Sequence, residues 1–195
     1  CLVARTRHED QALFGIVQGG AFHDLRLQSA ESFAGMPFPG YCIGGSLGKD
    51  KADMHAILDW TLPILPEERP RHLLGISEPD DFFAAVEAGA DTFDCVNPSR
   101  VARNGAIYTA SGRYNLVTAA NRRAFAPLED GCDCYTCVHY TRAYLHHLFK
   151  AKEMLASTLA TIHNERFTVR LVDDIRASIG SGSFEAFRAE FLGRF

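Results

Sequence analysis

The sequence contains no run of about 18 apolar residues, so a membrane-spanning helix is not expected. No secretory signal segment is visible, and the expected location is the cytoplasm. Solenoid repeats and low-complexity stretches are also missing, which sets aside repeat arrays and biased linkers. No G-x-G-x-x-G follows the first apolar strand, and this weakens a dinucleotide-binding reading. The most local absence is of negative charge. From Asn97 to Ala126 there is no Asp or Glu, while Arg100, Arg103, Arg113, Arg122 and Arg123 fall in that stretch. The chain as a whole carries a net charge of −4, so it is not a generic polyanion binder. The acid-free zone is a local basic surface, and arginine is the residue suited to phosphate. Scattered solvated arginines are the simpler alternative.

What is present fits a globular chain. At 195 residues it is one domain or part of one, and 47% hydrophobic with 23% charged residues supports a sizeable core. The first residue is Cys1, and Cys1–Arg5 has the look of the tail of a helix already under way, so the expectation is a chain that begins mid-domain.

Apolar strands are expected over 12–17, 40–43, 71–76 and 92–96. Helices are expected over 22–36, 51–65 and 80–88, the last started by Pro79. On the first helix Leu25, Ala30 and Phe33 form the apolar side, with Arg26 and Glu31 polar. The resulting β-α-β-α-β-α-β order implies a parallel sheet with helical crossovers. Four such strands are half of a (β/α)8 barrel. Near the end of each strand sits a glycine or a polar group: Gln18-Gly19-Gly20, Gly44-Gly45, Gly75 and Asp94. Ligand sites of such sheets lie at that C-terminal edge. Glycine admits close backbone approach, and Gln18 can donate to and accept from the edge of a base. Taken singly, Gly44-Gly45 is most simply a tight turn and Gln18 a strand-end polar residue. Their convergence is the stronger signal.

Asp94 stands in the apolar run Thr92-Phe93-Asp94-Cys95-Val96, followed by Asn97-Pro98, which stops a strand. A carboxylate there is paired or chemically active. Pairing with Arg100 is the plain alternative.

A β-hairpin is expected over 105–117, around Ala110-Ser111-Gly112. Of six cysteines, Cys42 and Cys95 lie in apolar runs and read as buried thiols, with Cys1 also apart. Cys132, Cys134 and Cys137 form a C-x-C-x2-C knuckle, an odd cluster that points to zinc rather than to disulfides. Spacing leaves the fourth ligand open among His139, His146, His147 and His163. His139 is too close to close the site comfortably, and His146 and His147 fall inside a helix expected over 140–158. His163 follows that helix at a junction from which the chain can return to the knuckle. Further helices are expected over 165–180 and 183–195, the last striped by Phe184, Phe187 and Phe191, which reads as core or an oligomer contact.

These segments together resemble the bacterial tRNA-guanine transglycosylase (queuine tRNA-ribosyltransferase) family. The residues that carry the likeness are Phe14-Gly15-Ile16-Val17-Gln18-Gly19, Ile43-Gly44-Gly45, Phe93 to Arg100, Arg103-Asn104-Gly105, and the cysteine knuckle with His163. The likeness runs over nearly the whole chain but over only the C-terminal half of a family member. It implies an α/β fold, the C-terminal half of a (β/α)8 TIM barrel. Residues 1–96 would be the last four β/α units, 97–163 a hairpin and zinc-binding insertion, and 164–195 C-terminal helices. It implies a pentosyltransferase that exchanges guanine at the tRNA wobble position for 7-aminomethyl-7-deazaguanine (preQ1), a queuosine precursor. Asp94 would be the nucleophile, giving a covalent tRNA intermediate. Gln18, Gly44, Gly45, Leu74 and Gly75 would line the base site, and Arg100 and Arg103 would hold the anticodon loop. Cys132, Cys134, Cys137 and His163 would bind a structural zinc ion. The implied partners are tRNA, the 7-deazaguanine and a second copy in a homodimer.

Three departures accompany the likeness. Leu74 stands where many relatives have Met, Ser99 where Thr is usual, and the 46–50 loop lacks the common Glu. The family's other catalytic and base-reading aspartates belong to the N-terminal half, so the chain alone is not expected to carry the whole activity. The alternative from another class is a non-catalytic tRNA-binding or dimerising subunit of the same family.

Overall fold

A computed structural model describes residues 1–4, 10–76 and 78–195. It divides into two compact units, 1–95 and 96–195.

In the first unit, β1 (Gly15–Val17), β2 (Tyr41–Ile43), β3 (Arg71–Leu74) and β4 (Thr92–Asp94) form one parallel sheet in the order β1-β2-β3-β4. The crossovers are α1 (His23–Ala34), α2 (Lys51–Thr61), which runs into a 3-10 turn at Leu62–Ile64, and α3 (Pro79–Glu87). Pro79 opens α3 where its missing N–H costs nothing, and Asp50 caps α2 by accepting from the Asp53 N–H. Val17, Tyr41, Ile43 and Leu73 are buried, in a core shared with Ile57, Leu58, Leu62, Phe82 and Phe83 from the crossovers. The register places Ile16, Cys42, His72 and Thr92 in one cross-strand row, with Leu74 opposite Asp94 one step further along. Successive side chains of a strand point to opposite faces, so this row and Asp94 share the face away from that core.

The expected strands and crossovers are present, each strand trimmed by one to three residues. The helix tail expected over 1–5 is not seen. Residues 2–4 instead form a turn closed by the Ala4 N–H to the Cys1 carbonyl, and Arg5 lies outside the described residues. Cys42 is buried as expected, but Cys95 is only half-buried, because β4 ends at Asp94.

Arg26 overturns the expected orientation of α1. Leu25 is 46% exposed, whereas Arg26 is completely buried. Its guanidinium donates to four carbonyls at and beyond the C-terminal ends of β1 and β2. Nε reaches Gly20 at 2.7 Å, Nη1 reaches Val17 at 3.3 Å and Gly44 at 3.0 Å, and Nη2 reaches Ser46 at 2.8 Å. Burial pulls the guanidinium below its ordinary pKa, but no side chain in a protein holds its proton more firmly.

The second unit begins with α4 (Asn97–Ala102), so Asn97-Pro98 both ends the strand region and starts a helix. β5 (Ala106–Thr109) and β6 (Gly112–Asn115) form the expected antiparallel hairpin. After a 3-10 segment at Ala119–Arg123 come α5 (Tyr135–His139), α6 (Arg142–Lys150), α7 (Met154–Gly180) and α8 (Phe184–Arg194). The helix expected over 140–158 is two helices, broken where Lys152 takes φ +59°. The helix expected at 165 starts eleven residues earlier, so α7 runs unbroken for 27 residues with His163 inside it. The core joins Ile107, Leu116, Leu128, Leu145, Leu159 and Ala160 with Cys134 and Cys137. Phe191 of α8 is buried beside Phe167, while Phe184 and Phe187 are half-buried, so the stripe is largely core.

Replacing Arg26 takes the side-chain donor from all four carbonyls, of which Val17 alone keeps a backbone partner here, the Gly44 N–H, among the described residues. Hydrogen bonds from a charged donor are worth about 1.5–3 kcal/mol each, partly offset by no longer burying a charge. Arg26→Met and Arg26→Lys are therefore each expected to cost roughly 2–4 kcal/mol in denaturant unfolding. A loss within about 0.5 kcal/mol, the ordinary range for surface substitutions, would show that the clamp is not structural.

Candidate functional site

The C-terminal edge of the four-stranded sheet gathers Gln18, Gly44, Gly45, Leu74, Gly75 and Asp94. A Cβ built on Gly44 would lie 2.8 Å from Leu74 Cδ1, 2.9 Å from Ile16 Cγ2 and 3.2 Å from Gln18 Nε2. These side chains thus converge over the Gly44 backbone. Gly45 has φ +75°, and a Cβ there would overlap Gln18 Oε1, so the site requires glycine on two counts. Gly75, at φ +80°, has nothing within 4 Å of a Cβ and is needed for its backbone conformation alone. Gln18 is itself anchored, its N–H donating to Ser29 Oγ of α1 at 3.1 Å.

Asp94 ends β4 with its side chain 62% exposed. Its backbone carbonyl accepts from the Gly75 N–H at 3.0 Å, which continues the β3–β4 ladder one step. Its Oδ1 accepts from His72 Nε2 at 3.2 Å and, more loosely, from the Gly75 N–H at 3.4 Å. Burial, and then the charge of Asp94, push the Cys42 thiol up, so Cys42 is a protonated neighbour on the same face. Arg26 and His72 are the residues that sequence reasoning missed. Arg26 was hidden by its polarity on an apparently amphipathic helix. His72 becomes meaningful only once the register is known.

The basic zone falls in the second unit. Arg100 and Arg103 lie three residues apart, at and just beyond the end of α4, and are exposed, as are Arg113, Arg122 and Arg123. Arg113 also stacks over the Tyr108 ring at 5.6 Å.

The same unit brings together Cys132, Cys134, Cys137 and His163, whose ligand atoms all lie within 4.8 Å of one another. His163 Nδ1 stands 3.6, 3.7 and 3.3 Å from the three sulfurs. A tetrahedral zinc ion with ordinary Zn–S and Zn–N bonds requires a sulfur–nitrogen edge of about 3.6 Å. The donor set therefore fits zinc in type, number and spacing. The outer shell fits as well. His163 Nε2 donates to the Tyr108 carbonyl at 2.8 Å, which leaves the Nδ1 lone pair for the metal. The next residue, Asn164, accepts from the Tyr108 N–H and donates to the Ala106 and Pro98 carbonyls, pinning α7 to β5 and α4. Cys137 N–H donates to Cys134 Sγ, and Arg166 makes a two-pronged contact with Asp133. Hydrogen bonding from Cys137 draws the Cys134 thiol down, while the same hydrogen bond and burial push Cys137 up. The other candidate ligands are placed elsewhere. His146 Nδ1 donates to the Leu116 carbonyl, His147 is exposed, and His139 packs on Tyr135.

A parallel β/α sheet with a convergent C-terminal edge, joined in sequence to a helical unit with a Cys3His cluster, defines an α/β protein carrying a metal-binding module. Comparison with known proteins makes this specific: the chain belongs to the queuine tRNA-ribosyltransferase family, whose model matches residues 1–195. Proteins named queuine tRNA-ribosyltransferase are 48% identical over 196 residues in Symbiobacterium thermophilum, 50% over 194 in Pelotomaculum thermopropionicum and 45% over 196 in Bacillus subtilis. These alignments cover 100%, 98% and 100% of this chain, and 49%, 52% and 51% of the relatives. The chain thus spans about half the length of the curated relatives it matches. Among the described residues no helix is long and apolar enough to cross a membrane.

The metal cluster predicts one zinc ion per chain by elemental analysis. Cys134→Ser should lose it, and chelation should lower the thermal midpoint by about 10 °C, since binding and folding of such a site are coupled. An unchanged midpoint after complete metal removal would show that the helical unit stands without it.

Proposed function

We propose that the full-length protein containing this chain is a tRNA-guanine transglycosylase, with the four-stranded sheet as the C-terminal half of a (β/α)8 barrel. The observation that carries the reading is Asp94: a carboxylate at the C-terminal end of a parallel strand, largely exposed, held by donors on and just after β3, on the edge that also carries the Gly44–Gly45 turn. A nucleophile must present an oxygen to its electrophile, and Asp94 meets that condition.

In this reaction one Asp94 oxygen bonds to C1′ of the wobble ribose, and the C1′–N9 bond breaks. Guanine leaves with the electron pair and takes up a proton. The incoming 7-deazaguanine, preQ1, then gives up its N9 proton as N9 bonds to C1′, and the C1′–O bond breaks to return its pair to the carboxylate. A carboxylate beside an oxocarbenium-like centre is the arrangement that glycosidic cleavage requires. The target base must leave its stack to reach such a pocket. Gln18 and the Gly44–Gly45 and Leu74–Gly75 edges suit one face and edge of that base. Arg100 and Arg103 suit the phosphates of the anticodon loop. The Cys3His zinc has four protein ligands and so is structural rather than catalytic. A cytoplasmic homodimer completes the reading.

The deciding experiment is intact-mass analysis after mixing the full-length protein with a guanine-wobble tRNA and quenching in denaturant. A tRNA-sized adduct should form, and Asp94→Asn should abolish both the adduct and base exchange while leaving tRNA affinity within about twofold. Exchange retained by Asp94→Asn overturns the nucleophile, and tRNA binding without any wild-type adduct points instead to a non-catalytic subunit. Arg100→Ala should weaken tRNA binding and lower its salt slope by roughly one. An unchanged slope would exclude a phosphate contact.

A further inference from the structure

We infer that His72 is the positioning residue of the Asp94 nucleophile, an assignment that rests on the reading of Asp94 given above. Three side chains of β3 and β4 form a connected row. His72 and Thr92 are register partners, and Asp94 follows Thr92 by two residues, so all three lie on one face. His72 Nδ1 lies 2.8 Å from Thr92 Oγ1, and Nε2 lies 3.2 Å from Asp94 Oδ1. The imidazole therefore bridges the two β4 residues edge to edge.

The chemistry of the two partners assigns the protons. A carboxylate oxygen only accepts, so the proton facing Asp94 must be on Nε2. A threonine hydroxyl both donates and accepts, so it can serve Nδ1 with that proton on Nε2. Asp94 thus fixes the tautomer, and Thr92 holds the other edge of the ring in place, as a fixed neighbour commonly does for a working histidine. The His72 side chain is 21% exposed against 62% for Asp94, so the donor is the more enclosed partner.

The consequence is a division between the two carboxylate oxygens. Oδ1 is held by His72 and by the Gly75 N–H. Among the described residues nothing donates to Oδ2, which is the oxygen His72 leaves to bond C1′. As that bond forms, negative charge drains from the carboxylate. When the incoming base displaces the carboxylate, the charge returns, and the Nε2–H is already in place to stabilise it. Loss of the His72 donor should therefore slow both half-reactions: the first because only the looser Gly75 N–H is left to hold Asp94, the second because the departing carboxylate has lost the closer of its two donors. Near-attack geometry of this kind is worth up to about a hundredfold in rate.

The test measures single-turnover adduct formation, adduct discharge by added base, and tRNA affinity in the full-length protein. His72→Leu should slow both chemical steps by about ten- to a hundredfold with tRNA affinity within about twofold. His72→Gln places an amide N–H near the position of Nε2 and should recover most of the rate. Thr92→Val, which keeps the shape of β4 but removes the hydroxyl that holds Nδ1, should fall between the two. Wild-type rates in His72→Leu, or His72→Gln as slow as His72→Leu, would overturn the assignment. Should His72→Leu prove poorly folded, His72→Gln and Thr92→Val decide alone: rates as slow in His72→Gln as in Asp94→Asn, or wild-type rates in Thr92→Val, would overturn it. The wild-type and Asp94→Asn arms report separately on the nucleophile, so failure of that reading shows as no wild-type adduct, or as an adduct that survives Asp94→Asn.

Discussion

Backbone groups that leave regular structure inside a protein must find partners, and this constraint organises both units of the chain. Where β1 and β2 end, the backbone turns through Gly19-Gly20 and Gly44-Gly45, and of the carbonyls of Val17, Gly20, Gly44 and Ser46 that of Val17 alone keeps a backbone partner among the described residues. Arg26 serves four carbonyls around these turns from one buried guanidinium. No other type of side chain offers so many donors from so rigid a plane. The cost is a buried cation held by carbonyls, which is tolerated because their converging dipoles take the place of a counter-ion. The second unit meets the same constraint with a neighbouring pair. His163 and Asn164 together serve both backbone groups of Tyr108 and the carbonyls of Ala106 and Pro98.

This explains which features were legible in the sequence. The alternation of strands and crossovers was readable because hydrophobic period and turn residues are local. The glycine turns and Asp94 were readable because a polar group after an apolar run is conspicuous. Arg26 was not, since a one-residue rotation of α1 exchanges it with Leu25 and composition cannot choose between them. Only the carbonyls it reaches, up to 20 residues away in sequence, make the buried choice favourable. His72 was hidden for a related reason. Its meaning depends on standing opposite Thr92, and register is a property of the folded sheet.

The metal cluster shows the opposite balance. Three cysteines within six residues declare themselves, yet the fourth ligand lies 26 residues beyond Cys137 on another helix. Spacing suggests a helix break before His163, and the structure instead threads it through the middle of a 27-residue helix. A ligand on a long packed helix is the stiffer solution. Its ring is aimed by the Tyr108 carbonyl, and its helix is held by Phe167, Leu171 and Ile175 in the core. The metal site and the hairpin are thus joined through one imidazole, whose two nitrogens face the sulfurs and the β5 backbone respectively.

The contrast between the two histidines bears on what each site is for. Both use one nitrogen to fix the other, which is the general economy of imidazole in proteins. At His163 the aimed nitrogen is a lone pair, completely buried among thiols, and the arrangement is closed. At His72 the aimed group is an N–H, and what it holds remains mostly open to solvent. A closed donor set suits an ion that stays. An open carboxylate held through one oxygen by an imidazole N–H suits a bond that must form and then break, because its other oxygen stays free to attack. The sheet therefore keeps a buried cation, Arg26, beneath the glycine turns, and its reactive carboxylate beside a histidine, a threonine and a backbone amide.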